Sequence, residues 1–413
     1  MRKIYTGIDV GSDSIKIVTS EFLNDRFYTL ASVSVKSVGI TRGIITDYDM
    51  ALNSLNLAKK EIEKALGTSV NKAIITVPSN DRNLSVIEGS INLYNEFVTG
   101  EDVTAVLGEA SVDKVEENEE IVSIIPILFS LDEDRLTPNP NGAKSSVLGV
   151  KALLAKAPKK QVYSFLKLFA DANIEVVDVT FNCIGDYFEA RDKETDNTFG
   201  ALINIGHEKT DVSIFNKGIL IKNSIINLGS KNIDKDISYV YGIDINAARE
   251  LKEKFALASR RYADIKETVE FMADDKDKVT INQYEITEVV EARIVELLKL
   301  AKKEINSLTK RKISYIIVTG GIAELMGFSY VVENILGINS STLNATSIGI
   351  RNDKFSSAIG IIKYFHNKMA LRERDISMLD EDEINEMMQN KKSELGLNND
   401  VTTSKIFGYF YNN

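Results

Sequence analysis

A short pattern of apolar residues, one polar residue and a glycine occurs twice in this chain, 195 residues apart. Ile8-Asp9-Val10-Gly11 is repeated as Ile203-Asn204-Ile205-Gly206, and each copy leads through a polar turn into a second apolar run. Each copy therefore predicts a strand, a glycine-bearing turn and another strand. Such a turn presents backbone N–H groups that can bind an anion, and glycine allows the close approach. The pair predicts two related domains that face each other across a phosphate group.

A further glycine pattern follows an apolar run in the second half. Residues 313–318 predict a buried strand, and Gly320-Gly321 leads from it into a predicted helix. Backbone amides at a helix N-terminus attract anions, so this corner is a candidate ligand site. The pattern alone fits a plain strand-to-helix turn equally well.

Length, charge and residue composition exclude several classes of protein. A length of 413 residues predicts two to four domains. The formal net charge of −10 argues against nucleic-acid binding, which needs a basic face. The single cysteine, Cys183, excludes a disulfide framework, and two histidines leave little material for a zinc site. The amino terminus lacks a signal-peptide core, so we expect a cytoplasmic protein.

Periodicity outlines the elements that would position these turns. Residues 3–10, 14–21 and 27–36 predict three successive strands, and Tyr48–Leu66 predicts a helix with Gly67 as its stop. Short strands around a helix over 100–112 then predict a small α+β block, and a helix-rich stretch over about 230–310 lies between the second hairpin and the Gly-Gly turn.

This order of two hairpins and a Gly-Gly turn resembles the actin/Hsp70/sugar-kinase ATPase superfamily, and within it the FtsA family of bacterial cell division. The inserted stretch from Ile121 to Gly142, with its Pro140-Asn141-Gly142, resembles the element that distinguishes that family. Ala248-Arg249-Glu250-Leu251-Lys252 resembles the family's nucleotide-side helix, and Ser357-Ala358-Ile359-Gly360-Ile361 its closing helix. The resemblance covers nearly the whole chain.

The resemblance implies an α/β, actin-like two-domain ATPase fold with duplicated five-stranded mixed-sheet cores and an inserted α+β subdomain. The implied subdomains are 1A over 1–80 and 161–198, the inserted 1C over 81–160, 2A over 199–245 and 312–366, 2B over 246–311, an acidic flexible linker over 367–403, and a membrane-targeting tail over 404–413.

The resemblance also implies ATP and Mg²⁺ as cofactors. Asp9 would lie near the Mg²⁺, through water, because magnesium keeps much of its hydration. The residues implied to contact the nucleotide are Gly11, Ser12, Ser14, Lys16, Gly206, Thr210, Asp211, Lys252, Gly320 and Gly321. Without the resemblance, Lys252 would be interpreted as a solvated helix lysine.

Three departures from the family pattern lie in the second half. Asn204 replaces an aspartate, His207-Glu208-Lys209 replaces a glycine-rich turn, and Arg249 replaces an acidic residue. Hydrolysis depends on positioned water and metal. We therefore expect ATP binding with weak or absent ATPase activity and assign no catalytic residue.

The last ten residues could form an amphipathic helix. If they are helical, Ile406, Phe407, Phe410 and Tyr411 share one face. The family's membrane-targeting helix implies that this face lies in the membrane interface, and the alternative is a tail that docks on protein. Arg293 resembles a basic position that could bind the acidic C-terminal peptide of FtsZ, although pairing with glutamates on its own helix is equally compatible.

Together these features predict an actin-like division protein that binds ATP, polymerises and tethers the FtsZ ring to the inner face of the cytoplasmic membrane at the division site. The alternatives are a small-molecule, sugar-type kinase of the same superfamily and a pilus-assembly type of actin-like scaffold. No candidate catalytic base for a kinase is found in the inserted block.

Overall fold

A computed structural model describes residues 2–77, 84–272, 278–343, 347–349 and 352–394. The chain forms two compact units. The first comprises Met1–Glu189, Thr346–Arg351 and Ser357–Asn413, and the second comprises Ala190–Ala345 and Asn352–Ser356.

The first unit begins with the predicted run of three strands. The elements in order are β1 (Lys3–Val10), β2 (Ser14–Leu23), β3 (Arg26–Lys36), the short pair β4 (Ile40–Thr41) and β5 (Ile44–Ile45), helix α1 (Tyr48–Leu66) and β6 (Lys72–Val77). The predicted helix is confirmed to the residue. Asp47 caps its N-terminus by accepting from the Met50 amide, and Gly67 ends it with φ 83°.

A small α+β block follows within the same unit. It contains β7 (Leu84–Asn92), α2 (Gly100–Ser111), β8 (Glu119–Ser130), β9 (Leu136–Thr137) and β10 (Val147–Pro158). The four strands form one antiparallel sheet in the order β7-β10-β8-β9. Helix α2 covers it and buries Val103, Val106 and Leu107 in a separate apolar core.

The chain then returns to the first sheet through α3 (Lys159–Asp171), β11 (Glu175–Phe181) and α4 (Asn182–Ala190). The first sheet has the order β11-β6-β1-β2-β3. Strands β1, β2 and β3 are antiparallel neighbours, whereas β1, β6 and β11 run parallel.

The second unit repeats this plan. Its elements are β12 (Phe199–Ile205), β13 (Thr210–Asn216), β14 (Ile219–Ile226), α5 (Lys231–Tyr241), α6 (Ile245–Lys254), β15 (Thr268–Met272), β16 (Lys278–Asn282), α7 (Gln283–Leu308), β17 (Tyr315–Thr319), α8 (Phe328–Leu336) and β18 (Ser340–Thr342). The five-stranded sheet has the order β14-β13-β12-β17-β18, with the same parallel and antiparallel neighbours as the first sheet. The predicted duplication of a five-stranded mixed sheet is confirmed.

Helix α9 (Ser356–Leu371) packs on the first sheet. A Cβ on Gly7 of β1 would lie 2.2 Å from the Ala358 carbonyl oxygen, so backbone meets backbone there. Residues from Ser357 onward belong to the first unit. The predicted subdomain 2A, 312–366, includes most of α9, whereas the structure assigns residues from Ser357 onward to the first unit because α9 packs closely on the first sheet.

Helix α10 (Glu381–Glu394) corrects another expectation. The prediction of a flexible linker over 367–403 is wrong for this segment, because α10 packs on the first unit. Met387 and Met388 are buried, and the Glu386 carboxylate accepts a hydrogen bond of 2.9 Å from the Thr68 hydroxyl. The segment before the helix is also bound, since the Met378 amide donates to the Ile4 carbonyl.

Candidate functional site

The first hairpin turn is tight and polar. The Gly11 amide donates to the Ser14 carbonyl at 3.1 Å, which closes the turn between β1 and β2. A Cβ on Gly11 would lie 3.0 Å from that carbonyl oxygen, so a larger residue would crowd the turn. The Ser12 hydroxyl accepts a hydrogen bond from the Gly43 amide at 3.3 Å. All the residues of this turn are partly exposed. A ligand can therefore reach it.

Asp9 is held from two sides. It lies directly across from Lys16 on β2, and the Lys16 Nζ is 3.1 Å from the Asp9 Oδ2. The Thr76 hydroxyl, at the end of β6, donates to the Asp9 Oδ1 at 2.8 Å. The first loop thus presents a carboxylate and an ammonium group in fixed positions. Such a pair can bind both a hydrated cation and a phosphate oxygen.

Thr76 was not among the residues selected from the sequence. The sequence held a signal for it, because Thr76 lies near the end of the apolar run over 72–77, which forms β6 and pairs parallel with β1. Carboxyl ends of parallel strands meet at one edge of a sheet.

The second hairpin has the same turn geometry. The Gly206 amide donates to the Lys209 carbonyl at 2.9 Å, the counterpart of the Gly11–Ser14 bond. Asn204 lies directly across from Asp211, as Asp9 lies across from Lys16. The Thr210 hydroxyl faces away from this pair, since adjacent strand residues alternate, and donates to the Leu228 carbonyl at 2.8 Å.

The charged residues of the second turn have local partners. Glu208 forms an ion pair of 2.7 Å with Lys231, in the first turn of α5. The Lys209 Nζ lies 3.6 Å from the Asp211 Oδ2. The start of α5 is bound to the same turn, because the Ser230 amide donates to the Gly206 carbonyl and the Lys231 amide to that of His207. Lys231, not Lys209, thus offsets the charge of Glu208.

The Gly-Gly turn lies beside the second hairpin. Gly320 has φ 114°, and a Cβ there would lie 2.2 Å from the Ile205 carbonyl oxygen. A side chain is excluded for both reasons. Gly321 is exposed, and a Cβ there would meet nothing within 4 Å. A 3₁₀ turn over Gly321–Glu324 follows in place of the predicted α-helix, which begins only at Phe328.

Lys252 is buried, with its side chain 8% exposed, and its Nζ lies 2.6 Å from the Asp234 Oδ1. The interpretation as a solvated helix lysine is therefore wrong. The ion pair joins α6 to α5. Arg249, three residues earlier, is partly exposed and pairs with Glu253.

Arg293 projects from α7 toward α5. It forms two hydrogen bonds with Asp236, of 2.6 and 2.8 Å, and a third contact with Glu296. The bonds to Asp236 raise the pKa of Arg293. A shallow depression beside it follows the exposed side of α7 and is lined by Ala292, Val295, Glu296, Lys299, Leu300 and Lys303.

The tail residues Ile406, Phe407, Phe410 and Tyr411 lie outside the described residues. Among the helices that the structure describes, none is both long and apolar enough to cross a membrane. In the same part of the chain, no three or more His, Cys, Asp or Glu side chains form a cluster that could hold a metal ion.

Comparison with known proteins identifies the family. The family model described as cell division protein FtsA matches residues 201–360, and the model described as type IV pilus assembly protein PilM matches residues 7–268. The cell division protein FtsA of Bacillus subtilis is 27% identical over 91% of this chain and 86% of its own length. That of Enterococcus hirae is 26% identical over 88% and 83%. The PilM model spans more than half of the chain, so the chain belongs to the family that it describes, and the relatives above show that it is also a homologue of FtsA.

Solved structures confirm the fold of this FtsA homologue. MreB5 of Spiroplasma citri, solved with ADP bound, superposes with a TM-score of 0.55 at 12% identity, over 90% of this chain and 99% of that one. The predicted actin-like α/β fold is therefore confirmed. Of the positions predicted to depart from the FtsA family pattern, Asn204, Glu208 and Lys209 lie in one hairpin, and Arg249 lies in α6.

Proposed function

We propose that this FtsA homologue is an ATP-binding, filament-forming adaptor of cell division that ties the FtsZ ring to the cytoplasmic membrane. The observation that carries the proposal is the duplicated hairpin. Each unit has a glycine turn closed by the same backbone hydrogen bond, on a sheet of the same strand order. Among proteins of this fold, MreB5 has been solved with a nucleotide.

The residues present suit a nucleotide. Gly11 and Gly206 lie in turns whose backbone N–H groups can bind phosphate. Gly321 leaves open space that a ligand could occupy. Lys16 and Asp9 would serve the phosphates and a hydrated Mg²⁺ respectively. The described residues hold no cluster of metal ligands, which fits a Mg²⁺ bound through phosphate and water.

We expect weak hydrolysis. A nucleotide-bound Mg²⁺ would neutralise charge on the phosphates, while the protein would position the attacking water. Asn204 keeps a hydrogen-bonding oxygen but has no charge to orient a hydrated cation. The measurement is ATP affinity alongside phosphate release in Mg²⁺. Tight binding with little release supports the proposal, and brisk turnover by the purified protein contradicts it.

We place the FtsZ peptide on the outer side of α7. The peptide is acidic, and Arg293 lies beside the shallow depression along that helix. Because Asp236 already occupies two donors of Arg293, a peptide carboxylate would have to displace it or use the remaining donors. Arg293→Ala should weaken peptide binding about tenfold, as expected for a lost charged hydrogen bond. Lys310→Ala, on the exposed segment after α7, is the matched control. Equal affinity of the Arg293 variant would restrict Arg293 to holding α7 on α5.

Membrane attachment is assigned to residues 404–413. One copy of so short a tail should bind weakly, whereas a filament would present many copies and bind through multivalency. Flotation with liposomes, with and without these residues and with and without ATP, tests both steps. Unchanged flotation of the truncated protein would refute the assignment.

A pilus-type scaffold is the second candidate, because the PilM model matches more than half of the chain. Electron microscopy on lipid monolayers separates the two. ATP-dependent filaments that recruit FtsZ support the division adaptor. A protein that stays monomeric and does not bind FtsZ would favour the pilus-type scaffold.

A further inference from the structure

Lys209 lies in the second hairpin turn with an unusual environment for an ammonium group. Its side chain is 15% exposed, and its one ion-pair partner among the described residues, Asp211, lies at 3.6 Å. That distance is too long for a hydrogen bond. Within the described part of the chain, no group accepts a hydrogen bond from the buried Nζ. Three N–H donors are thus withdrawn from water without replacement.

The Lys209–Asp211 pair of the second hairpin resembles the Lys16–Asp9 pair of the first hairpin. There the Lys16 Nζ lies 3.1 Å from Asp9, across the strand pair. In the second hairpin the cross-strand pair is Asn204 and Asp211, and the ammonium comes instead from Lys209, two residues before Asp211 on the same face. Each hairpin therefore places one ammonium beside one carboxylate, although different positions supply them.

Burial of an unsatisfied donor is unfavourable, so this arrangement needs a compensating partner. A phosphate oxygen at the turn would accept from Lys209 and satisfy the donors that Asp211 does not. Charged hydrogen bonds of this kind are about twice as strong as neutral ones. In addition, the Asn204 side chain adds no second carboxylate that would attract a cation to this loop.

We propose that Lys209 is a phosphate-binding residue of the second loop and that its fixed charge makes nucleotide binding by this chain largely independent of divalent metal. This inference rests on the proposed function, since it assumes that a nucleotide binds. It assigns the ligand class as nucleoside polyphosphates and the contact as Lys209 Nζ to a phosphate oxygen. The competing explanation is a purely structural ion pair with Asp211.

The test is a titration of the full-length protein with ATP, once in excess Mg²⁺ and once in EDTA. The wild-type affinities in the two conditions should agree within about threefold. Lys209→Met should weaken binding in EDTA by about tenfold or more, which is the effect of one charged hydrogen bond. Lys209→Arg, which keeps the charge, should stay within about threefold of wild type. Lys235→Met, at an exposed position of α5, is the matched control and should bind as wild type does.

A double variant sharpens the test. Asn204→Asp with Lys209→Thr removes the ammonium and places two carboxylates across from each other, so this variant should need Mg²⁺ to bind ATP and should lose about tenfold or more in EDTA. Circular dichroism checks that each variant is folded, and Lys209→Gln replaces Lys209→Met if the latter is not. Wild-type protein that binds in Mg²⁺ and loses ATP in EDTA overturns this inference alone, as does a Lys209→Met protein that binds normally. Wild-type protein that binds ATP in neither condition overturns the proposed function as well.

Discussion

The crossing of α4 and α9 gives a sharp test of how the first unit is held together. A Cβ on Gly360 would lie 1.7 Å from the Gly185 carbonyl oxygen, whereas ordinary contacts begin at 3.4 Å. The two helix backbones would therefore have to separate by about 1.7 Å to accept an alanine. That movement would break the buried bond of 2.7 Å from the Ser357 hydroxyl to Asp186.

The magnitude follows from three contributions. Overpacking costs about 1–3 kcal/mol, and a buried carboxylate that loses a donor costs about another 1–3 kcal/mol. The gain in helix propensity from glycine to alanine returns about 1 kcal/mol. Gly360→Ala should therefore destabilise the first unit by about 3 kcal/mol, which lowers its Tm by about 6–12 °C.

Gly108→Ala is the matched control. Gly108 also lies inside a helix of the first unit, but a Cβ there would meet nothing within 4 Å. Propensity alone should raise the stability by about 1 kcal/mol, or about 2–4 °C in Tm. Because the protein has no tryptophan, thermal unfolding is followed by circular dichroism. Equal Tm values for the Gly360 variant and wild type would refute the close helix crossing.

Three further predictions concern the ion pair of α6, helix α10 and His366. Lys252→Ala should destabilise the second unit by about 3–5 kcal/mol because it leaves the buried Asp234 carboxylate unpaired. Lys252→Met combined with Asp234→Leu should recover most of that loss, and urea denaturation measures the stability of both variants. Met387→Ala should cost about 2–5 kcal/mol if α10 packs as described, and a Tm equal to wild type would indicate a detached helix. Burial lowers the pKa of His366, whose unfolded value is about 6.5, so the unfolded chain takes up more protons below that pH. Stability should therefore fall as the pH drops from about 7 toward 5, and His366→Phe should flatten that slope in denaturation curves.

The local pattern was enough to predict the hairpins and α1. Alternating apolar residues and a closing Gly67 lie within a few residues of the elements they determine. The repeat at Asp9 and Asn204 was also visible, since it is a comparison of two short stretches. From these local signals the actin-like resemblance followed.

The partners of charged side chains were not predictable in this way. Lys252 was interpreted as solvated or nucleotide-bound, but its partner Asp234 belongs to another helix. Helix α10 has a polar, acidic sequence that does not indicate packing on the first unit. Its Glu386 accepts a hydrogen bond from Thr68, which lies more than 300 residues earlier in the chain. Contacts of this kind depend on the assembled fold, which a sequence pattern does not contain.

The changes in the second hairpin are linked. In the first unit the Thr76 hydroxyl donates to Asp9. In the second unit Thr319, at the equivalent place beside β12, lies across the ladder from Asn204, and its hydroxyl donates instead to Ser356. The acid, the acceptor of the threonine hydroxyl and the position of the ammonium thus all differ between the two hairpins. Restoring the acid alone would place a carboxylate directly across from Asp211, where like charges repel. If the second loop binds phosphate as we propose, it is better understood as a rebuilt turn than as a family loop with a single defect.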